Sequence, residues 1–240
     1  MPPVCLVTGG AVRLGRAIVL GLAADGYDVV IHYNRSDGAA KQTLGEVQGL
    51  GRRATLHQAD LSDPEAIEGL ARATEEAYGR LDLLVNSAST YFQTELEDVP
   101  LDEWRQVMAV NVTAPFLLTN ALWDLLRSSE GSVINMVDLS ALQAWVHFPH
   151  HSVSKAALLQ LTKVQAKAMA PEIRVNAIAP GNVLPPEDDT PERIEASRLK
   201  IPMGRIGHPD DVVAAVRLLV DADYMTGEVM VVDGGRALSG

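Results

Sequence analysis

Short runs of aliphatic and β-branched residues alternate along this chain with longer segments whose apolar positions recur every three to four residues. The short runs are Val4–Val7, Asp28–His32, Arg53–Gln58, Leu83–Asn86, Gly131–Met136, Arg174–Ile178 and Glu228–Val232, each short and apolar enough to predict a strand buried on both faces. Helices fill the intervals. Gly15–Ala24 carries Ala17, Ile18 and Leu22 on one face, Asp63 caps a helix with Pro64 at its first position, and Pro209 opens a helix over Asp210–Val220. Strands and helices alternating in this way predict one doubly wound α/β domain over residues 1–240, a seven-stranded parallel sheet with helices on both faces. No solenoid repeat or extended low-complexity run interrupts it.

Two stretches stand out. Gln106–Trp123 has no charged residue, but Asn111, Thr113, Pro115, Thr119 and Asn120 interrupt it. Unsatisfied polar groups are costly in lipid, so the pattern predicts a buried or subunit-interface helix instead of a membrane span. Asn182–Pro191 is proline-rich and acidic, which rules out a helix interior or a central strand. It reads as a surface loop, and its place after a strand end marks residues 182–200 as a substrate loop or lid.

Composition narrows the partners. A chain of 240 residues with 47% hydrophobic and 5% aromatic content suits a single domain. A formal net charge of −11 and a pI near 4.9 argue against nucleic acid and against an anionic membrane surface, leaving a small molecule as the expected ligand. The single Cys5, inside an apolar run, permits no intramolecular disulfide, and Met1-Pro2-Pro3 does not open a signal peptide, so a cytoplasmic protein is expected. His147, His150 and His151 with Asp138 are metal-ligand types. No metal is expected there, because adjacent His150 and His151 point in different directions and Lys155 competes with a cation.

The first strand runs into Thr8-Gly9-Gly10-Ala11-Val12-Arg13-Leu14-Gly15 and then a helix, so glycines fall where backbone must turn sharply beside a helix N-terminus, a site for a pyrophosphate. Glycines in such a turn also serve structure alone, and the spacing differs from Gly-x-Gly-x-x-Gly. The second strand adds weight by ending in His32-Tyr33-Asn34-Arg35-Ser36, with a cation and a hydroxyl where an acidic residue would meet a free ribose hydroxyl. Arg35 and Ser36 suit a 2′-phosphate, which favours NADPH over NADH; the alternative for Arg35 is a solvated loop cation.

Together with Asp60-Leu61, Asn86-Ser87-Ala88, Asn111, Lys155, Pro180-Gly181 and Val232-Asp233-Gly234-Gly235, these segments resemble the short-chain dehydrogenase/reductase family over essentially the whole chain. The resemblance implies a Rossmann fold whose cofactor site is built from Gly9, Arg13, Leu14, Gly15, Tyr33, Asn34, Arg35 and Ser36. It further implies that Asp60 and Leu61 contact the adenine, that Asn86, Ser87 and Ala88 line the ribose side, and that Pro180 and Gly181 flank the nicotinamide. Lys155 would hold the nicotinamide ribose hydroxyls, Asn111 would keep a water linking Lys155 to solvent, and the protein would form homotetramers. Within the family the chain is most similar to the pteridine reductases, through Arg13, His32–Ser36 and Asn135-Met136-Val137-Asp138. That similarity implies substrate contacts from Arg13, Ser89 and Tyr91, with Tyr91 stacked on the pterin.

One position departs from the pattern. Most relatives carry a tyrosine four residues before the lysine as general acid, and this chain has His151. An imidazole of ordinary pKa about 6.5 suits proton donation near neutrality, and Asp138, thirteen positions upstream, is the carboxylate to support it. The catalytic set implied is Asp138, His151, Lys155 and Asn111. The function expected is NADPH-dependent reduction of a dihydropterin or related heterocycle. Two alternatives stand beside it: a carbonyl reductase of the same family acting on a 3-oxoacyl or other ketone, and a dinucleotide-binding protein whose catalysis is weak or lost through His151.

Overall fold

The structure, a computed structural model describing residues 1–185 and 189–239, gathers the apolar runs into one sheet. Its strands are β1 (Val4–Val7), β2 (Asp28–Tyr33), β3 (Ala54–Gln58), β4 (Leu83–Asn86), β5 (Ser132–Met136), β6 (Arg174–Pro180) and β7 (Val229–Val232). They lie side by side in the order 3-2-1-4-5-6-7, all parallel. The helices are α1 (Arg13–Ala24), α2 (Asp37–Gly49), α3 (Pro64–Tyr78), α4 (Leu101–Met108), α5 (Ala114–Ala121), α6 (Trp123–Ser128), α7 (Pro149–Met169), α8 (Pro191–Arg198) and α9 (Pro209–Asp221).

Alternate side chains of each inner strand enter different cores. Cys5, Val7, Val29, Ile31, Leu83, Val85 and Ile134 pack under Ile18 and Leu22 of α1 and Val212 and Val216 of α9. Leu6, Val30, Leu84, Val133 and Val175 face the other way, against Ile67 and Leu70 of α3, Leu118 of α5 and Met169 of α7. This double burial is why the inner strands read as unbroken apolar runs. The expectation of burial on both faces fails for β3 and β7, which are only half-buried. Each is an edge strand with one neighbour, so its outer side is left open to solvent.

Helix boundaries follow local chemistry. The Asp63 side chain accepts from the Glu65 amide at the start of α3, with Pro64 at the first helical position. His208 and Asp211 cap α9 reciprocally. The uncharged Gln106–Trp123 stretch is not one helix: α4 leads into a π turn at Ala109–Thr113, then α5 and α6. Pro115, which lacks an amide hydrogen, lies just beyond the wide turn. Among the described residues no helix is long and apolar enough to cross a membrane. Of the proline-rich Asn182–Pro191 segment, residues 186–188 lie outside the described residues, and Pro191 already belongs to α8.

Candidate active site

In a fully parallel sheet every strand delivers its C-terminal loop to the same edge, and one cleft runs along that edge. Arg35 and Asp60 line one end and Tyr91, Trp145 and His151 the other.

The turn after β1 has no room for side chains at its glycines. A Cβ on Gly15 would lie 2.2 Å from the Gly9 carbonyl oxygen, and Gly9 itself has φ +65° with the Ala88 backbone 3.1 Å from where its Cβ would be. Close behind it, Thr8 Oγ1 accepts from the Ser87 and Ala88 amides at 2.9 and 3.0 Å, tying the loop after β4 to the turn. The N-cap of α1, Val12, gives no side-chain hydrogen bond, and the first turn of that helix holds no acidic residue. Its amides are therefore open to an anion, which is what a pyrophosphate requires. Ser36 at the N-cap of α2 likewise makes no capping bond, and it lines the cleft beside Arg35. Hydrogen bonds from the Ser62 amide and hydroxyl hold the Asp60 carboxyl below the ordinary carboxylate range, so it stays ionised at the Arg35 end of the cleft.

At the other end β5 terminates in Met136, Val137 and Asp138, and the first turns of α7 supply His151 and Lys155. Asp138 Oδ2 lies 2.6 Å from His151 Nε2. Its Oδ1 accepts from the Ser140 amide at 2.8 Å and from the Ser140 hydroxyl, so the carboxylate cannot swing away. Burial pushes the Asp138 carboxyl up, but hydrogen bonding to His151, the charges of His151 and Lys155, and the Ser140 hydroxyl together hold it below the usual range. Lys155 is buried and donates from Nζ to the Met136 carbonyl at 2.8 Å. Burial lowers its pKa, and the Asp138 carboxylate counters that. Tyr91 stands edge-on to His151 with ring centroids 5.8 Å apart, Trp145 lies within 6.4 Å of the same ring at 25°, and Phe148 meets both Tyr91 and Trp145 edge-on.

The cleft brings together Gly9, Arg13, Leu14, Gly15, Tyr33, Asn34, Arg35, Ser36, Asp60, Leu61, Ser87, Ala88, Ser89, Tyr91, Asp138, His151, Lys155, Pro180 and Gly181. Asn86 is not among them. It ends the central strand, buried in the sheet, and donates to Asn135 Oδ1 at 2.8 Å, so only Ser87 and Ala88 of that trio line the cleft. Asn111 also stands behind the cleft wall. Its Oδ1 accepts from the Thr90 amide and the Ser89 hydroxyl, and its Nδ2 donates to the Thr90 carbonyl and Ser154 Oγ. That saturates the side-chain amide, leaving no side-chain atom for the relay water expected there. Arg13, with φ +50°, donates to the carbonyls of Leu184 and Pro185 at 2.8 and 3.3 Å, a clasp on the segment after β6 that the sequence did not announce. Nor did motif reading single out Trp145 or Phe148 for the cleft. Signals existed for the aromatics, since Trp145 and Phe148 lie within six residues of His151 in a chain only 5% aromatic. Among the described residues no group of three or more His, Cys, Asp or Glu is placed to hold a metal.

The Val232–Gly235 segment is structural. A Cβ on Gly181 would lie 2.8 Å from the Asp233 backbone, and Asp233 accepts from the Gly235 and Ala237 amides.

Comparison with known proteins places this architecture among relatives. Residues 10–237 match the family profile described as enoyl-(acyl carrier protein) reductase. A 3-oxoacyl-[acyl-carrier-protein] reductase of Synechocystis is 33% identical over 98% of this chain and 97% of its own. The 3beta-hydroxysteroid dehydrogenase 1 of Eggerthella lenta is 35% identical, covering 97% of this chain and 93% of that protein. Among solved structures, the Pseudomonas aeruginosa RhlG/NADP active-site complex superposes with a TM-score of 0.90 at 35% identity, over 98% of this chain and 96% of that one.

Proposed function

The chain belongs to the short-chain dehydrogenase/reductase family, and from that premise we propose an NADPH-dependent carbonyl reductase acting on a small ketone. The observation that carries the reading is the Asp138–His151 pair at 2.6 Å, set at the far end of a cleft that begins with a turn whose glycines leave no space for a Cβ. Relatives that act on oxoacyl groups and hydroxysteroids favour a carbon–oxygen bond as the site of chemistry over a pterin.

The dinucleotide, when bound, supplies the hydride; the chain's residues do the rest. The amides at the start of α1 and the turn around Gly9 receive the pyrophosphate, and Arg35 with Ser36 receives the 2′-phosphate. Lys155, fixed to the Met136 carbonyl, presents its remaining protons to the nicotinamide ribose. His151, braced through Nε2 by Asp138, is the group set to give a proton to the carbonyl oxygen, with the Asp138 carboxyl held below the usual carboxylate range beside it. Tyr91, Trp145 and Phe148 give the substrate side an aromatic lining.

Those same rings favour a second reading, reduction of a flat dihydropterin or related heterocycle, because an aromatic wall stacks a planar ring. The deciding experiment follows NADPH oxidation with 3-oxoacyl thioesters, simple ketones and dihydropterins. Turnover of ketones alone supports the first reading, turnover of dihydropterins alone the second. NADPH binding with no turnover across the panel leaves a dinucleotide-binding protein. We further assign the protein to the cytoplasm, as a homotetramer whose subunits meet along α5 and α7, where Phe116, Val153 and Val164 are exposed.

A further inference from the structure

We propose that His32 is a positioning residue for the cofactor: a neutral imidazole, protonated on Nε2, that sets the spacing between the Gly9 amide and the Ala59–Asp60 end of β3 and so fits the cleft to the adenosine half of the dinucleotide. This rests on the dinucleotide reading above.

The two hydrogen bonds settle the tautomer. The Gly9 amide donates to His32 Nδ1 at 3.1 Å, so that nitrogen keeps its lone pair. The proton is then on Nε2, which donates to the Ala59 carbonyl at 3.1 Å. Ala59 is itself tied to β2, its amide donating to the Tyr33 carbonyl, and the Gly10 amide donates to the His32 carbonyl at 3.0 Å. The ring thus spans the C-terminal ends of β1, β2 and β3, between the turn that meets the pyrophosphate and Asp60 at the adenine end. His32 is almost fully buried, yet it lines the cleft. Burial is the main force lowering its pKa, to about 4; the Ala59 carbonyl and the Asp60 charge oppose this, and His57 adds to it. A second proton on Nδ1 would set two donors head to head at Gly9. An apolar ring in its place would leave the Gly9 amide and the Ala59 carbonyl without their partner.

The test compares His32→Phe and His32→Asn with the wild type in fluorescence titrations of NADPH and of adenosine 2′,5′-bisphosphate. Losing both hydrogen bonds in His32→Phe should weaken both ligands roughly tenfold, raising KM for NADPH and not KM for the carbonyl substrate. His32→Asn, whose Oδ1 can still accept from Gly9 but whose side chain is too short for Ala59, should regain about half of that loss on a logarithmic scale. Wild-type affinity in His32→Phe overturns the proposal, as does a His32→Asn no better than His32→Phe. If His32→Phe does not fold, His32→Asn decides alone: about threefold weaker binding supports the proposal and unchanged binding overturns it. A wild type that binds neither NADPH nor NADH would instead defeat the dinucleotide reading.

Discussion

At position 151 an imidazole is locked to a carboxylate whose other oxygen is already committed to Ser140. If this pair supplies the proton, His151→Ala and Asp138→Asn should each lower kcat by about 10²- to 10⁴-fold with NADPH affinity unchanged, measured by steady-state kinetics alongside direct titration. His151→Tyr should keep or raise turnover. Full activity in His151→Ala would remove the donor assignment. Arg35→Ala should weaken NADPH much more than NADH, and an equal loss for both would defeat the 2′-phosphate argument. His32 gives a pH prediction. Its pKa of about 4 in the folded protein lies below the ordinary 6.5, so the unfolded chain binds the proton more readily. The stabilisation is complete above pH about 6.5 and is lost as pH falls towards 4, by about 3 kcal/mol in all, which denaturant titrations across that range would register. Asp138, His151 and Arg35 could be named from sequence because each replaces or completes a spaced motif. His32 stood in a motif too, but its role could not be named, since a buried histidine at a strand end gives no sign of what its two nitrogens touch.

The elements were legible where one force dominated. Double burial marked the inner strands, and proline or aspartate marked the starts of α3 and α9. The π turn at Ala109–Thr113 escaped because a hydrophobic pattern records which residues are apolar and not how many lie in a turn. Asn111 lies in that wide turn, and its side chain bonds Thr90 and Ser154, bracing the loop that carries Tyr91. The edge strands β3 and β7 were misjudged for a related reason, since sequence order does not state which strands end the sheet. The glycine turn makes a sharp element-scale prediction. With 2.2 Å available, Gly15→Ala must move the turn, so it should lower stability by about 1–3 kcal/mol in urea titration and abolish NADPH binding; a variant with wild-type affinity would show the turn to be tolerant.

Taken as one body, the molecule keeps its chemistry on a single sheet edge and leaves apolar side chains on α5 and α7 facing outward. Sedimentation should therefore find a species four times the 25.8 kDa chain mass, and Val164→Glu should dissociate it. A monomer at micromolar concentration would count against this assembly. The Arg13 clasp bears on the kinetics of the whole cleft. Both carbonyls accept from Nη2, so Nε and Nη1 keep their N–H groups for a phosphate, and a bound dinucleotide would be tied through Arg13 to the segment after β6. Dinucleotide binding should then fix that segment before the second reactant arrives, a compulsory order with the dinucleotide first. Product-inhibition patterns would reveal that order, and Arg13→Ala should make it random.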